Sequence, residues 1–430
     1  MSVLGTVRRR LPAAVQQRDF GLFVIVVLAM VLASQMLAVA IGWQVYDVHH
    51  RAFDLGLIGL LEFAPVFALA IPAGHLNDRM SRRTVLGMAL VLLAAVAAGL
   101  IAVSTAGAHE LWPFLVLALA TGTATALWFP ASRSLPPMLV EPELLGSAMA
   151  IRSVANQTGY VGGPAIGGLL FALAPEVTYA TALGLFVVAL AATVAFRIRP
   201  RADAPSPEPV SVGTLLAGIR FIGGAPILLG AITLDLFAVL FGGAVALLPV
   251  FAQSVLHTGP AGLGVLRSAP AVGAVIAGVM LVRHPLPARA GTVLFGCVIG
   301  FGASIIVFGV SRVFLLSVAA LALSGACDMF SVNIRTTAVT FATPDWVRGR
   351  VGAVEAVFIG ASNQLGAFES GTAAALLGAV PAVICGGVAT IVIALAWTKL
   401  FPSLAGLDRM QDLQHGHRPP LAEPAAVEVL

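Results

Sequence analysis

Five ionisable side chains stand inside long apolar runs of this sequence: Glu62, Asp235, Arg267, Asp328 and Glu369. A charge at the centre of a bilayer costs at least ~2.5–3.5 kcal/mol on insertion scales, so such a residue in a membrane segment faces a partner or a water-filled cavity. A carboxylate placed there can carry a proton or hold a cationic group. An arginine there can neutralise a carboxylate or receive an anion. Asp235 has no basic residue within its own apolar run, which makes it the first candidate for a proton carrier, with Asp328 second. Asp328 and Arg335 are seven residues apart and share one face of a helix, so a structural ion pair is the competing reading. For every one of these carboxylates, a coupling or substrate role and a structural pairing both stay open. Glu355 and Arg335 sit near the ends of their runs, where long side chains can snorkel to the interface.

The runs that hold these charges are membrane helices. The 430 residues are 59% hydrophobic and only 10% charged, against about 25% charged in ordinary soluble domains. Mean hydropathy is +0.98. Apolar stretches of about 20 residues, enough to span a bilayer as a helix, fall near 20–45, 55–74, 84–104, 111–131, 148–173 and 179–196, and again near 227–251, 261–282, 291–310, 314–337, 351–377 and 381–400. The start, Met1 to Arg18, lacks a signal-peptide pattern, so the first run reads as a retained span. With the N-terminus cytoplasmic, all but Arg51, Arg312 and Arg267 of the 24 basic residues fall on the cytoplasmic side. That asymmetry argues for an even number of spans with both ends inside, in a bacterial inner membrane.

The spans divide into two sets. Pro200, Pro205, Pro207 and Pro209 interrupt the longest internal polar stretch. The expected organisation is a six-helix bundle over 1–196, a cytoplasmic linker over 197–226, a second six-helix bundle over 227–400 and a polar tail over 401–430, with the run from Thr214 to Ile222 placed at the membrane surface. A weak internal repeat supports duplication. Gly59–Pro65, containing Glu62, matches Gly264–Pro270, containing Arg267; Arg133 with Pro142 and Glu143 matches Arg335 with Pro344 and Asp345 at a nearly equal offset. Transporters built from parallel repeats place their substrate site between the halves near the midplane.

Two motifs are more specific. The loop after the second span reads Gly74-His75-Leu76-Asn77-Asp78-Arg79-Met80-Ser81-Arg82-Arg83. A small residue suits the tight turn at Gly74, Asp78 can cap a helix N-terminus, and Arg79, Arg82 and Arg83 can pair with acids on neighbouring helices. The fifth span carries Gly159, Gly163, Pro164, Gly167 and Gly168, which permit close helix approach and a kink. The loop resembles the signature of the major facilitator superfamily, with Ser81 in the usual glycine position. The span resembles the antiporter motif of that family's drug exporters, although Ala150 replaces its earlier glycine. Ala118 stands before Gly122 where many drug:proton antiporters carry an embedded arginine, which removes the usual relay from the fourth span. Further segments, Leu135–Val140, Leu215–Phe221 and Thr343–Val351, are similar to the branch containing siderophore and macrolide exporters. The resemblance implies a cytoplasmic latch in the loop, an export direction from the motif and an all-α membrane protein with twelve transmembrane helices in two pseudo-symmetric bundles.

The resulting expectation is proton-coupled alternating access exporting a small amphipathic molecule, drug-like or siderophore-like. Gln35, Trp43, Trp128, Phe237, Phe241 and Asn363 are candidate cavity contacts. Competing expectations are proton-coupled uptake, lipid flipping and a non-transporting receptor of the same fold. The expected partners are the small-molecule substrate, protons and the lipid bilayer, with no nucleic acid and with the chain a monomer. Cys297, Cys327 and Cys385 lack metal-ligand spacing, no phosphate loop appears, and the eight histidines lie in loops, segment ends or the tail. No enzyme activity, cofactor or metal is expected.

Overall fold

A helix in lipid must satisfy its backbone internally and needs only an apolar surface to persist; that single requirement shapes most of this chain. The computed structural model describes residues 13–69, 72–73, 76, 79–107, 109–197, 212–284, 289–344 and 346–408. Among them are twelve helices of sixteen residues or more: α1 (Arg18–His49), α2 (Ala52–Ala68), α3 (Arg82–Thr105), α4 (Trp112–Ser134), α5 (Leu145–Phe171), α6 (Pro175–Ala195), α7 (Pro226–Phe241), α8 (Gly259–Arg283), α9 (Ala290–Val310), α10 (Phe314–Ala342), α11 (Arg348–Leu377) and α12 (Ala379–Leu400). They run alternately up and down. One end of the molecule carries His49, Phe171, Val255 and Leu377; the other carries Arg82, Leu145, Arg283 and Arg348.

Nine of the described helices, counting α7 on through Val255, are long and apolar enough to cross a membrane by length and composition. The other three are α2, α5 and α11. The first is short; the other two are rich in glycine and polar residues. These are also helices through which the two sets of six touch. Close approach between helices in lipid is served by small residues, and small residues lower hydropathy.

Packing repeats with a six-helix shift. Helix α1 lies against α5 and α6, α3 against α4 and α6, and α2 against α4; correspondingly α7 lies against α11 and α12, α9 against α10 and α12, and α8 against α10. The two sets meet chiefly through α2 on α11 and α5 on α8. Buried phenylalanines and Tyr179 fill the first set: Phe20 and Phe23 from α1, Phe114 from α4 and Phe186 from α6 are fully enclosed. In the second set Leu228, Leu234, Leu294, Ile334 and Ala394 join α7, α9, α10 and α12.

Helix α7 is not the continuous span 227–251 that hydropathy suggests. It ends at Phe241, and Gly242 and Gly243 break it before a 3-10 turn at Ala244–Leu247 and a π turn at Phe251–Val255. The break has a packing cause: a Cβ on Gly243 would meet the Ser370 hydroxyl at 2.8 Å and the Gly366 carbonyl at 3.0 Å, both on α11. Of the linker, residues 198–211 lie outside the described residues, as does the tail from 409. Val212–Gly223 is a helix whose Gly218 seats against the Arg350 carbonyl of α11. Its Leu216 and Ile219 are exposed and Ile222 is buried.

Candidate functional site: a cleft between the two sets of helices

The glycines of α5 divide between two neighbours. Gly159, Gly163 and Gly167 face α1: a Cβ on each would meet Val31 at 2.7 Å, Gln35 at 2.6 Å and Met36 at 2.8 Å. Gly168 faces α8, where a Cβ would meet the Pro260 carbonyl at 2.5 Å, and a Cβ on Gly264 would meet the Pro164 carbonyl at 2.5 Å. A period of four residues keeps each set on its own side of the helix. Across the pseudo-symmetric contact, Gly56 and Gly59 of α2 sit on Ala367, Phe368 and Gly371 of α11.

All of these contacts between the sets lie toward the His49–Leu377 end. At that end Tyr46 Oη lies 3.0 Å from Ser254 Oγ, and Gln253 donates to Asp47 at 2.8 Å. Further in, Ser268 donates to the Val161 carbonyl at 2.8 Å and Gln157 to the Ala271 carbonyl at 3.0 Å. Continuing along the same faces toward the other end, Val154 of α5 is 66% exposed and Val282 of α8 is 84% exposed, while on α2 Phe67 is 64% exposed. Faces that meet in one half of the molecule stand apart in the other. The molecule is sealed at the His49 end and open at the Arg283 end.

Charges cluster inside. Arg335 of α10 is buried and ion-paired with Asp235 of α7, and its Nε donates to the Ser331 carbonyl at 3.3 Å. Asp328 lies within electrostatic reach of both. All three line one small pocket with Cys297, Phe301 and Ser331; Asp235 and Arg335 also line a second with Glu355 and Phe358. The seven-residue spacing of Asp328 and Arg335 does bring them near one another, but the ion pair goes to Asp235, which has its partner on a different helix. Nearer the meeting of the sets, Arg267 of α8 lies within electrostatic reach of Glu62 of α2 and Tyr160 of α5. Glu369 belongs to neither group; Ser370 Oγ donates to it at 3.3 Å.

The candidate cavity contacts are scattered. Gln35 is half-buried where α1 meets Gly163. Trp43 is buried toward the sealed end. Trp128 is half-buried, edge-on to Phe129 at 5.8 Å. Phe237 stands edge-on to Trp397 of α12 at 5.5 Å. Phe241 is half-buried at the end of α7, and Asn363 is exposed with its Nδ2 donating to the Ile359 carbonyl at 2.8 Å. Sequence reasoning missed Tyr160, Arg152 and the polar seal of Tyr46, Asp47, Gln253 and Ser254. It counted Arg133 and Arg152 only as topology signals, although the repeat that aligns Arg133 with Arg335 marks the former.

Within the signature loop, Gly74 and Asp78 lie outside the described residues. Ser81 caps α3: its Oγ accepts from the Thr84 amide at 3.1 Å. Arg82 donates to the Met138 sulfur at 2.7 Å and Arg83 to the Val194 carbonyl at 2.5 Å, so these two reach a thioether and a carbonyl instead of the acids expected. Arg79 is exposed. Among the described residues no three His, Cys, Asp or Glu side chains are grouped to hold a metal ion.

Comparison with known proteins gives this geometry a context. Residues 12–428 match the family described as transmembrane secretion effector. The chain is 25% identical over 364 residues to the enterobactin exporter EntS of Shigella dysenteriae, covering 84% of this chain and 87% of that one. It is 25% identical over 375 residues to EntS of Citrobacter koseri, covering 87% and 89%. Among solved structures, a bacterial homolog of the human lysosomal transporter Spinster, in an inward-facing and occupied conformation, superposes with a TM-score of 0.72 at 13% identity over 92% of this chain and 98% of that one. The nucleoside transporter NupG superposes with a TM-score of 0.67 at 13% identity, covering 89% and 98%. At such identities these structures speak for the fold alone.

Proposed function

Because the chain belongs to the transmembrane secretion effector family of major facilitator transporters, and is therefore a multi-pass carrier and not an enzyme, we propose that it exports a small amphipathic molecule by proton-coupled alternating access. The bundles 1–196 and 227–400, joined by the linker 197–226, are the two bodies that rock. The asymmetry of arginine and lysine assigns the open end to the cytoplasm, so the state described is inward-open. The names of the EntS relatives support the outward direction of transport.

The coupling assignment rests on one observation: two carboxylates, Asp235 and Asp328, share one arginine, Arg335. With both acids ionised the group carries a net negative charge, and enclosing an uncompensated charge in a low-dielectric interior is strongly unfavourable. The open state tolerates that charge because water reaches it. Closing the empty cleft requires that a proton complete the neutralisation. An exporter uses that alternation by releasing the proton to the cytoplasm as cargo enters and taking one up from outside as cargo leaves. Since Asp235 already holds Arg335, Asp328 is the residue that takes the proton, a reversal of the order of preference drawn from sequence alone.

The test is gradient-driven flux in liposomes with an imposed proton gradient and a panel of fluorescent amphipathic compounds. Asp328→Asn is expected to abolish gradient-dependent movement while leaving gradient-independent exchange. Unaltered gradient-driven transport in Asp328→Asn would sink the coupling assignment.

A further inference from the structure

At the open end of the cleft, the wall contributed by the first six helices carries two arginines that, among the described residues, form no ion pair. Arg133 closes the last turn of α4, and Arg152 stands on α5 about two turns in from its start at Leu145. The two guanidiniums lie within electrostatic reach of each other, where like charges repel. Among the described residues, no ion pair or hydrogen bond reaches either, and the buried Nε of Arg152 has no acceptor. Arg133 holds its guanidinium 4.7 Å over the Phe129 ring, and Trp128 stands edge-on to that ring at 5.8 Å. The opposite charge that does reach Arg133 comes from across the cleft: Glu355 of α11, which also faces Asp235 and Arg335 in the second pocket.

Two unspent guanidiniums side by side are an unfavourable arrangement for a cleft that is never filled. Each has donors in the flat fork that matches a carboxylate or sulfonate, and the flanking rings offer a face to an aromatic body. We infer that Arg133 and Arg152 form the entry subsite for the anionic group of an aromatic cargo, and that Glu355 competes with that group for the field of Arg133 from across the cleft. The inference rests on the transport reading above and names its substrate class. Cargo and Glu355 are then competitors. An arriving anion neutralises the charge that Arg133 presents to Glu355, and its departure restores that attraction, so the subsite reports occupancy to α11.

Competition has a signature that a merely structural role lacks: the two variants move affinity in opposite directions. The probes are 1-naphthoate, 1-naphthamide and 1-naphthylmethylammonium, which share a ring system and differ in charge. Binding to the purified full chain is measured by equilibrium dialysis. Naphthoate is expected to bind at least about tenfold more tightly than the amide, and Arg133→Gln to remove that preference. Glu355→Gln is expected to tighten naphthoate binding by about threefold or more, and that gain should vanish in Arg133→Gln/Glu355→Gln. Arg152→Gln gives an independent reading should Arg133→Gln fail to fold. Equal binding of naphthoate and naphthamide, weakening by Glu355→Gln, or a full gain persisting without Arg133 would each overturn the subsite. Liposome flux separates this from the wider reading. Movement of the amide or ammonium without preference for naphthoate overturns the subsite and leaves a transporter. Naphthoate binding with the predicted pattern but no flux of any compound supports the subsite and counts against transport.

Discussion

Arg335 can neutralise one carboxylate at a time, and the structure sets three within its electrostatic reach, Asp235, Asp328 and Glu355. The ion pair with Asp235 is enclosed between α7 and α10, so removing one partner strands a charge. Breaking a buried pair in this way costs about 3–5 kcal/mol, whereas replacing both members can be close to neutral. Arg335→Gln is therefore expected to lower the thermal unfolding midpoint of the purified protein by several degrees. Asp235→Asn/Arg335→Gln should recover most of the loss. Equal destabilisation by the single and the double variant would mean that the arginine acts through packing and not through its charge. The relation of Asp328 to Arg335 was legible from sequence because both lie on one helix, where spacing dictates the face. The partner of Asp235 was not, because no periodicity within α7 says which face of α10 it will meet. The same reason hid the meeting of Arg267 with Tyr160. Its relation to Glu62 was only hinted at by their equivalent places in the repeat.

Helices α5 and α8 show how far hydropathy carries an interpretation. Twelve apolar runs gave twelve helices, α7 being the one that stops well short of its expected bound, because in lipid chain length and apolarity leave the backbone few alternatives. Nothing in hydropathy distinguishes a glycine that merely packs from one that seals, and the break in α7 at Gly242 and Gly243 was equally invisible. The glycines facing across the interface have no room to spare: a Cβ on Gly264 would stand 2.5 Å from the Pro164 carbonyl. Overpacking of this kind costs about 1–3 kcal/mol, and each 1.4 kcal/mol is tenfold in a two-state population. Gly264→Leu is expected to force the seal apart and favour the outward-open state. The reporter is a cysteine at Gln35, with the native cysteines replaced. Its alkylation by a membrane-impermeant maleimide added from outside the cell should rise by about tenfold or more with Gly264→Leu. An unchanged rate would show that the contact is not what closes that end.

At the scale of the whole molecule, one set of contacts must be exchanged for another. The repeat makes this economical, since the α2–α11 and α5–α8 contacts are related by the same six-helix shift and can part together. Proton-dependent exchange of closed ends is testable without knowing the cargo. Spin labels at Val154 and Val279 report the open end, and labels at Leu173 and Leu377 report the sealed end; all four side chains are exposed. Pulsed electron resonance distances would be measured in lipid nanodiscs at acidic and alkaline pH. At acidic pH, where Asp328 holds its proton, the Val154–Val279 distance is expected to shorten as the Leu173–Leu377 distance lengthens. Asp328→Asn should hold the acidic distribution at every pH. Distances at both ends that stay fixed across pH, or that change at one end without the other, would contradict proton-coupled alternating access in this protein.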